Sequence, residues 1–241
     1  MLKWAMLLTI TALGLGAAQP AGATPVTTDT FNLTADFCSG GCGTGPYGTV
    51  TVSSVSSTEV AVTLTLAKGE IFANTGAGDS LLFDLSGNPD ITISNITPTS
   101  PAFTAVQTTP GGKIKAGSSG TWEYAVDCTG CGSGTSAPTS AGPLSFDITD
   151  LSGISPASFV VNDKNYYFAA DIMGTTGNTG VVSAPTLTST TTTSSGTPTA
   201  TVPEPATFAV LGAGLFALGL LRRRGDADGQ AARRKNELPA T

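Results

Sequence analysis

From residue 26 to residue 184 the apolar positions tend to fall on every second residue. In Glu59-Val60-Ala61-Val62-Thr63-Leu64-Thr65-Leu66, the residues Val60, Val62, Leu64 and Leu66 share one face, and Ala61, Thr63 and Thr65 the other. A period of two marks a half-buried strand, because successive side chains of extended backbone leave on opposite sides. The alternation recurs at 47–52, 81–85, 91–93, 122–126, 144–148 and 166–172. Clusters of Gly, Pro, Asn and Asp at 76–79, 86–90, 110–112, 117–120 and 174–180 supply the turns between them. No part of this body keeps a helical period for three turns, and 155–159 allows one turn at most. The pattern predicts about nine to eleven short strands and an all-β fold, an antiparallel β-sandwich of jelly-roll type.

The two ends of the chain follow a different pattern. Lys3 precedes an apolar run over 4–18 and the small-x-small sequence Ala21-Gly22-Ala23, the order of a secretory signal peptide at 1–23. The β-sandwich body then occupies 24–185. Between 186 and 201 the composition collapses to Thr, Ser, Pro, Gly and Ala with few apolar residues, which predicts an extended, mobile linker. From Ala206 to Leu221 sixteen residues carry no charge; as a helix they would span about 24 Å of a hydrocarbon core about 30 Å thick. A C-terminal hydrophobic helix is therefore expected, short for a permanent membrane span, with a basic cytoplasmic tail at 225–241.

Charge sharpens this division. Residues 24–202 hold four Lys, no Arg and thirteen Asp or Glu, whereas all five Arg follow the C-terminal apolar run. That asymmetry is the mark of a cytoplasmic end retained by positive charge. An acidic body excludes the electrostatic footprint of a nucleic-acid binder. The chain of 241 residues has no His, which removes Ser/His/Asp triads and imidazole acid–base chemistry together.

Val202-Pro203-Glu204-Pro205, then the apolar run, then Arg222-Arg223-Arg224, resembles the PEP-CTERM sorting signal of Gram-negative bacteria that make exopolysaccharide. The resemblance covers 202–224. It implies recognition in the inner membrane by an exosortase, an integral-membrane cysteine protease-transpeptidase, and removal of the tail as the body reaches the surface. It implies that Pro203, Glu204 and Pro205 are the recognition residues and that Arg222, Arg223 and Arg224 hold the helix in register. Here the chain continues for seventeen residues past the Arg cluster, where such signals usually end.

Four Cys occur as Cys38-Ser39-Gly40-Gly41-Cys42 and Cys128-Thr129-Gly130-Cys131. In an exported protein an even count favours disulfides, most simply Cys38 with Cys42 and Cys128 with Cys131. A four-thiolate zinc site and a redox-active pair are the competing readings. The Asp-rich stretches 84–90 and 147–152 could cup calcium but lack any established loop spacing. Trp122 and Tyr124 should share a face, most simply the core, whereas Tyr166 and Tyr167 must point opposite ways, making one of them a candidate ligand contact. Thr49, Thr51, Thr63 and Thr65 should face outward. No residue is nominated as catalytic or as a metal ligand, and no cofactor is expected. The sequence thus points to a non-enzymatic surface or matrix protein associated with exopolysaccharide or biofilm. A carbohydrate-binding module attached to the cell's own exopolysaccharide is the alternative, with an exported hydrolase third.

Overall fold

The computed structural model describes residues 25–76, 78–107, 113–132 and 139–193. In chain order the first strands are β1 (Val26–Leu33), β2 (Ala35–Asp36), β3 (Gly48–Ser56), β4 (Glu59–Leu66), β5 (Ile71–Phe72) and β6 (Leu81–Leu85). They are followed by β7 (Thr92–Thr97), β8 (Thr104–Gln107), β9 (Ile114–Lys115), β10 (Thr121–Trp122) and β11 (Tyr124–Asp127). The last are β12 (Leu144–Thr149), β13 (Phe159–Val160), β14 (Phe168–Met173), β15 (Thr179–Ala184) and β16 (Leu187–Thr193). Eleven of these have four or more residues. Helix among the described residues is confined to two single 3-10 turns, Gly117–Ser119 and Pro156–Ser158.

The strands form mostly antiparallel sheets, consistent with an all-β sandwich. One main sheet has the order β16-β1-β3-β4-β12-β7, the second is built around β2-β15-β14-β6-β11-β8 with β5 on β14 and β13 on β6, and β9 and β10 form a separate pair. Both main sheets contribute to one core, with Phe31, Leu64 and Phe146 from the first sheet and Phe83, Tyr124 and Phe168 from the second. Phe83 lies at its centre, its ring 5.4 Å from Tyr124, 5.6 Å from Phe159 and 6.2 Å from Phe146. β4 follows the sequence pattern, with Val60, Val62, Leu64 and Leu66 buried and Thr65 exposed. Within the first sheet β1, β3 and β4 are neighbours, with β2 crossing to the second sheet between β1 and β3; the strand order does not establish a jelly roll.

The second sheet is also covered on its other face. Leu82, Ala125, Ala169 and Val181 form a second cluster there with Trp122 and Ala116. Trp122 therefore does not share the face of Tyr124, as the alternation suggested. Both are buried, but Glu123 lies between β10 and β11 and belongs to neither, so the phase of the alternation does not carry across it.

The Thr-rich stretch differs from expectation over 187–193. These residues are not a mobile linker: they pair antiparallel with β1, Val26 opposite Thr193 and Thr30 opposite Ser189. All seven side chains are exposed, so burial does not order them. Backbone pairing does, and Thr suits extended backbone. The sandwich thus reaches at least Thr193. All described residues fall in one compact unit, Met1–Ser195. The signal segment 1–23, the linker from 194 onward, the hydrophobic run and the basic tail lie outside the described residues. Among the described residues no helix is long and apolar enough to cross a membrane.

Candidate functional site

Strands β1 and β16, with the turn Pro156–Ser158, wall an open cleft of about 560 Å³ at one side of the sandwich. On β1 the alternating positions Thr27, Asp29 and Phe31 all line it. Phe31 continues into the core, but Asp29 sits at the same phase, so the fold places a carboxylate where a hydrophobic residue would be the default. Asp29 is 6% exposed. Thr190, directly opposite on β16, donates its hydroxyl to Asp29 Oδ1 at 2.7 Å. Tyr167 forms part of the opposite wall. Its N–H donates to the Ala184 carbonyl at 2.9 Å and its ring rests 5.1 Å from that of Phe31, which fixes an aromatic surface beside the carboxylate.

Tyr166 points the other way, as alternation requires. Its ring packs edge-on against Phe37 at 5.5 Å, beside the second cluster, and its N–H donates to Asn162 Oδ1 at 3.0 Å. Both tyrosines are half-buried. Of the two candidate contacts, then, Tyr167 lines a cleft and Tyr166 braces the sheet. Asp29 was not singled out from the sequence, although its inward phase among Thr27, Phe31 and Leu33 was a legible signal.

Asp29 is the only ionisable carboxylate among the residues lining this cleft. One carboxylate can accept hydrogen bonds from a hydroxylated ligand, but glycoside hydrolysis ordinarily requires a second carboxyl about 5 to 10 Å away. A strongly shifted carboxylate lies elsewhere: Asp84 on β6 is pushed up to about 6 by burial, with Glu123 and Asp163 adding repulsion. Its Oδ1 accepts the N–H of Glu123 at 2.7 Å, which offsets part of that effect. Neither residue lines the cleft. Burial also raises Glu70, which the N–H of Thr175 counteracts.

The cysteines pair locally, Cys38 with Cys42 and Cys128 with Cys131. With the sulfurs so bonded, the zinc reading is set aside. Asp36 organises the first loop, accepting the N–H groups of Cys38 at 2.8 Å and Cys42 at 2.9 Å and the Tyr47 hydroxyl at 3.0 Å. Two glycines in these regions are sterically required. A Cβ on Gly174 would collide with the Cys42 carbonyl, and one on Gly130 would lie 2.6 Å from the Ala102 nitrogen. The two Asp-rich stretches meet at a second cleft of about 460 Å³ lined by Asp90 and Asp150. Asp150 Oδ1 accepts the Ser152 N–H at 2.8 Å and Asp147 Oδ2 the Asn95 amide at 2.7 Å, so both serve as turn and cross-strand acceptors.

The outer face of the first sheet is more ordered than four outward threonines suggested. Register places Ser189, Thr30, Thr51, Thr63, Ser145 and Thr97 in one row across six strands. Neighbouring hydroxyls bond to one another, Thr63 with Ser145 at 3.0 Å and Thr28 with Ser53 at 2.8 Å.

The tail is where the comparisons with known proteins speak. Residues 201–224 match the PEP-CTERM protein-sorting motif. The match encloses Val202 to Pro205 and Arg222 to Arg224 and leaves the sandwich unassigned. The motif implies an exported protein that is sorted by an exosortase and reaches the surface after processing. No curated protein and no solved structure matches the chain.

Proposed function

We propose that this is a non-enzymatic protein of the cell surface or extracellular matrix that associates with the producing cell's exopolysaccharide. The sorting motif at 201–224 carries this reading, because it implies delivery of the sandwich to that location. The precursor is held in the inner membrane by the run Ala206 to Leu221 and released when the tail is removed. The body then works by adhesion.

The carbohydrate-binding reading gains one specific observation, the cleft of Tyr167 and Asp29. A tyrosine ring offers a flat apolar surface for the C–H face of a sugar, while Asp29, Thr27 and Ser54 offer acceptors and donors to its hydroxyls. Its volume lies in the range of small-ligand sites and fits a short stretch of glycan. A lone carboxylate within an acidic body favours neutral or amino sugars over anionic ones. It also supplies no acid–base pair, which supports binding without cleavage.

The test is retention of residues 24–195 by exopolysaccharide extracted from the producing cells. Wild-type protein should be retained, and Tyr167→Ala should bind about tenfold more weakly, about 1.4 kcal/mol lost with one aromatic contact. Release of new reducing ends, abolished by a single Asp or Glu substitution, would replace this reading with a hydrolase.

A further inference from the structure

An edge strand exposes a row of unpaired N–H and C=O groups, and proteins blunt such edges with charges, proline, bulges or brevity. Three of the four terminal strands of the two main sheets are blunted. In the first sheet β7 carries Asn95 in the left-handed region at φ 54, has an irregular register against β12, and runs into Pro98. In the second sheet β2 has only two residues and leads into the Cys38–Cys42 loop, and β8 has four residues and follows Pro101 closely. β16 is the least blunted of the four: Pro185 lies two residues before it and its register against β1 shifts once, at Thr188, but Ser189 to Thr193 pair without interruption. It is seven residues long, without charge or proline, and exposed throughout. It pairs with β1 on one side, and no other described strand pairs with it.

From this we infer that β16 is an interface for a second copy of this chain, joined by antiparallel strand addition so that two six-stranded sheets become one. The inference is independent of the glycan reading. A strand edge recognises another strand through main-chain spacing, and a second β16 brings the same exposed, uncharged edge. From Thr188 to Thr193 every residue is Thr or Ser, so antiparallel pairing sets hydroxyl against hydroxyl in nearly any register, a favourable cross-strand combination. Neither strand brings a charge that would repel the other. Asp29, the nearest carboxylate on β1, is buried and already accepts the Thr190 hydroxyl. A two-fold axis is the natural symmetry, because the same patch serves on both copies.

The experiment measures mass by sedimentation and backbone protection by hydrogen exchange on residues 24–195, the unit that holds both sheets and both hydrophobic clusters. Mass should rise from monomer to dimer with concentration, and amides of 187–193 should gain protection as it does. Ser189→Lys with Thr191→Lys places like charges on two exposed positions of the edge, and should abolish the dimer while leaving the melting temperature unchanged at concentrations where the wild type is monomeric. Asn95→Lys, on the opposite edge, should dimerise as wild type does. A monomer at all concentrations up to about 1 mM would overturn the proposal. So would a dimer that survives the paired Lys substitutions, or protection gained at β7, β2 or β8 instead.

Discussion

Replacing Asp84 by Asn should make the protein more stable at neutral pH. Burial, reinforced by Glu123 and Asp163, raises Asp84 from 3.8 to about 6. Because the folded-state value lies above the unfolded one, protonation favours the folded chain. The stabilisation is complete below about pH 3.8 and is lost as pH rises through about 6. A displacement of about two units corresponds to roughly 3 kcal/mol. Water still reaches the half-buried carboxylate, so screening reduces this to about 1–2 kcal/mol. Asparagine keeps the shape and the acceptor that the Glu123 N–H needs, so only the charge is removed. Urea unfolding of wild type and Asp84→Asn at pH 8 and pH 3.5 reads the effect. The variant should be more stable by about 1–2 kcal/mol at pH 8, about 2 to 8 °C in melting temperature for a domain of this size, and indistinguishable at pH 3.5. Equal destabilisation at both pH values would refute the reasoning, since it would mean that the carboxylate is needed for its geometry and its charge costs nothing.

Phe83→Ala should cost about 3–5 kcal/mol, because the ring sits among Tyr124, Phe146, Phe159 and Phe168 at full burial; denaturant titration measures it. Replacing Cys128 and Cys131 together by Ala removes a bridge between residues three positions apart; with so short a loop the loss should be about 2 kcal/mol, read as a lower urea midpoint at unchanged slope. For Cys38 and Cys42 the loss should be of similar size, and the loop should keep its shape because Asp36 still accepts three donors, which amide exchange of Cys38→Ala/Cys42→Ala at those N–H groups would show.

What the sequence made legible followed from local physics. β4 declares itself through four alternating aliphatic residues, and local cysteine pairing is the favoured reading of an even count in an exported chain, since partners three and four positions apart meet at little entropic cost. The cleft was not legible because its key contact joins Asp29 to Thr190 across 161 positions. β16 was misread because composition registers the lack of apolar side chains but not the free edge of β1 that a Thr-rich segment can complete. The phase error at Trp122 has a similar origin: a single residue outside the ladder, Glu123, reassigns a tryptophan to the other side of a sheet without any change in apolar pattern.

The sorting motif at 201–224 gives the most direct test, the intact mass of the protein recovered from the cell surface. Processing there predicts a chain that begins near Thr24 and ends near Pro205, lacking the hydrophobic run and the five arginines. Full-length chains ending at Thr241 on the outer surface would contradict it.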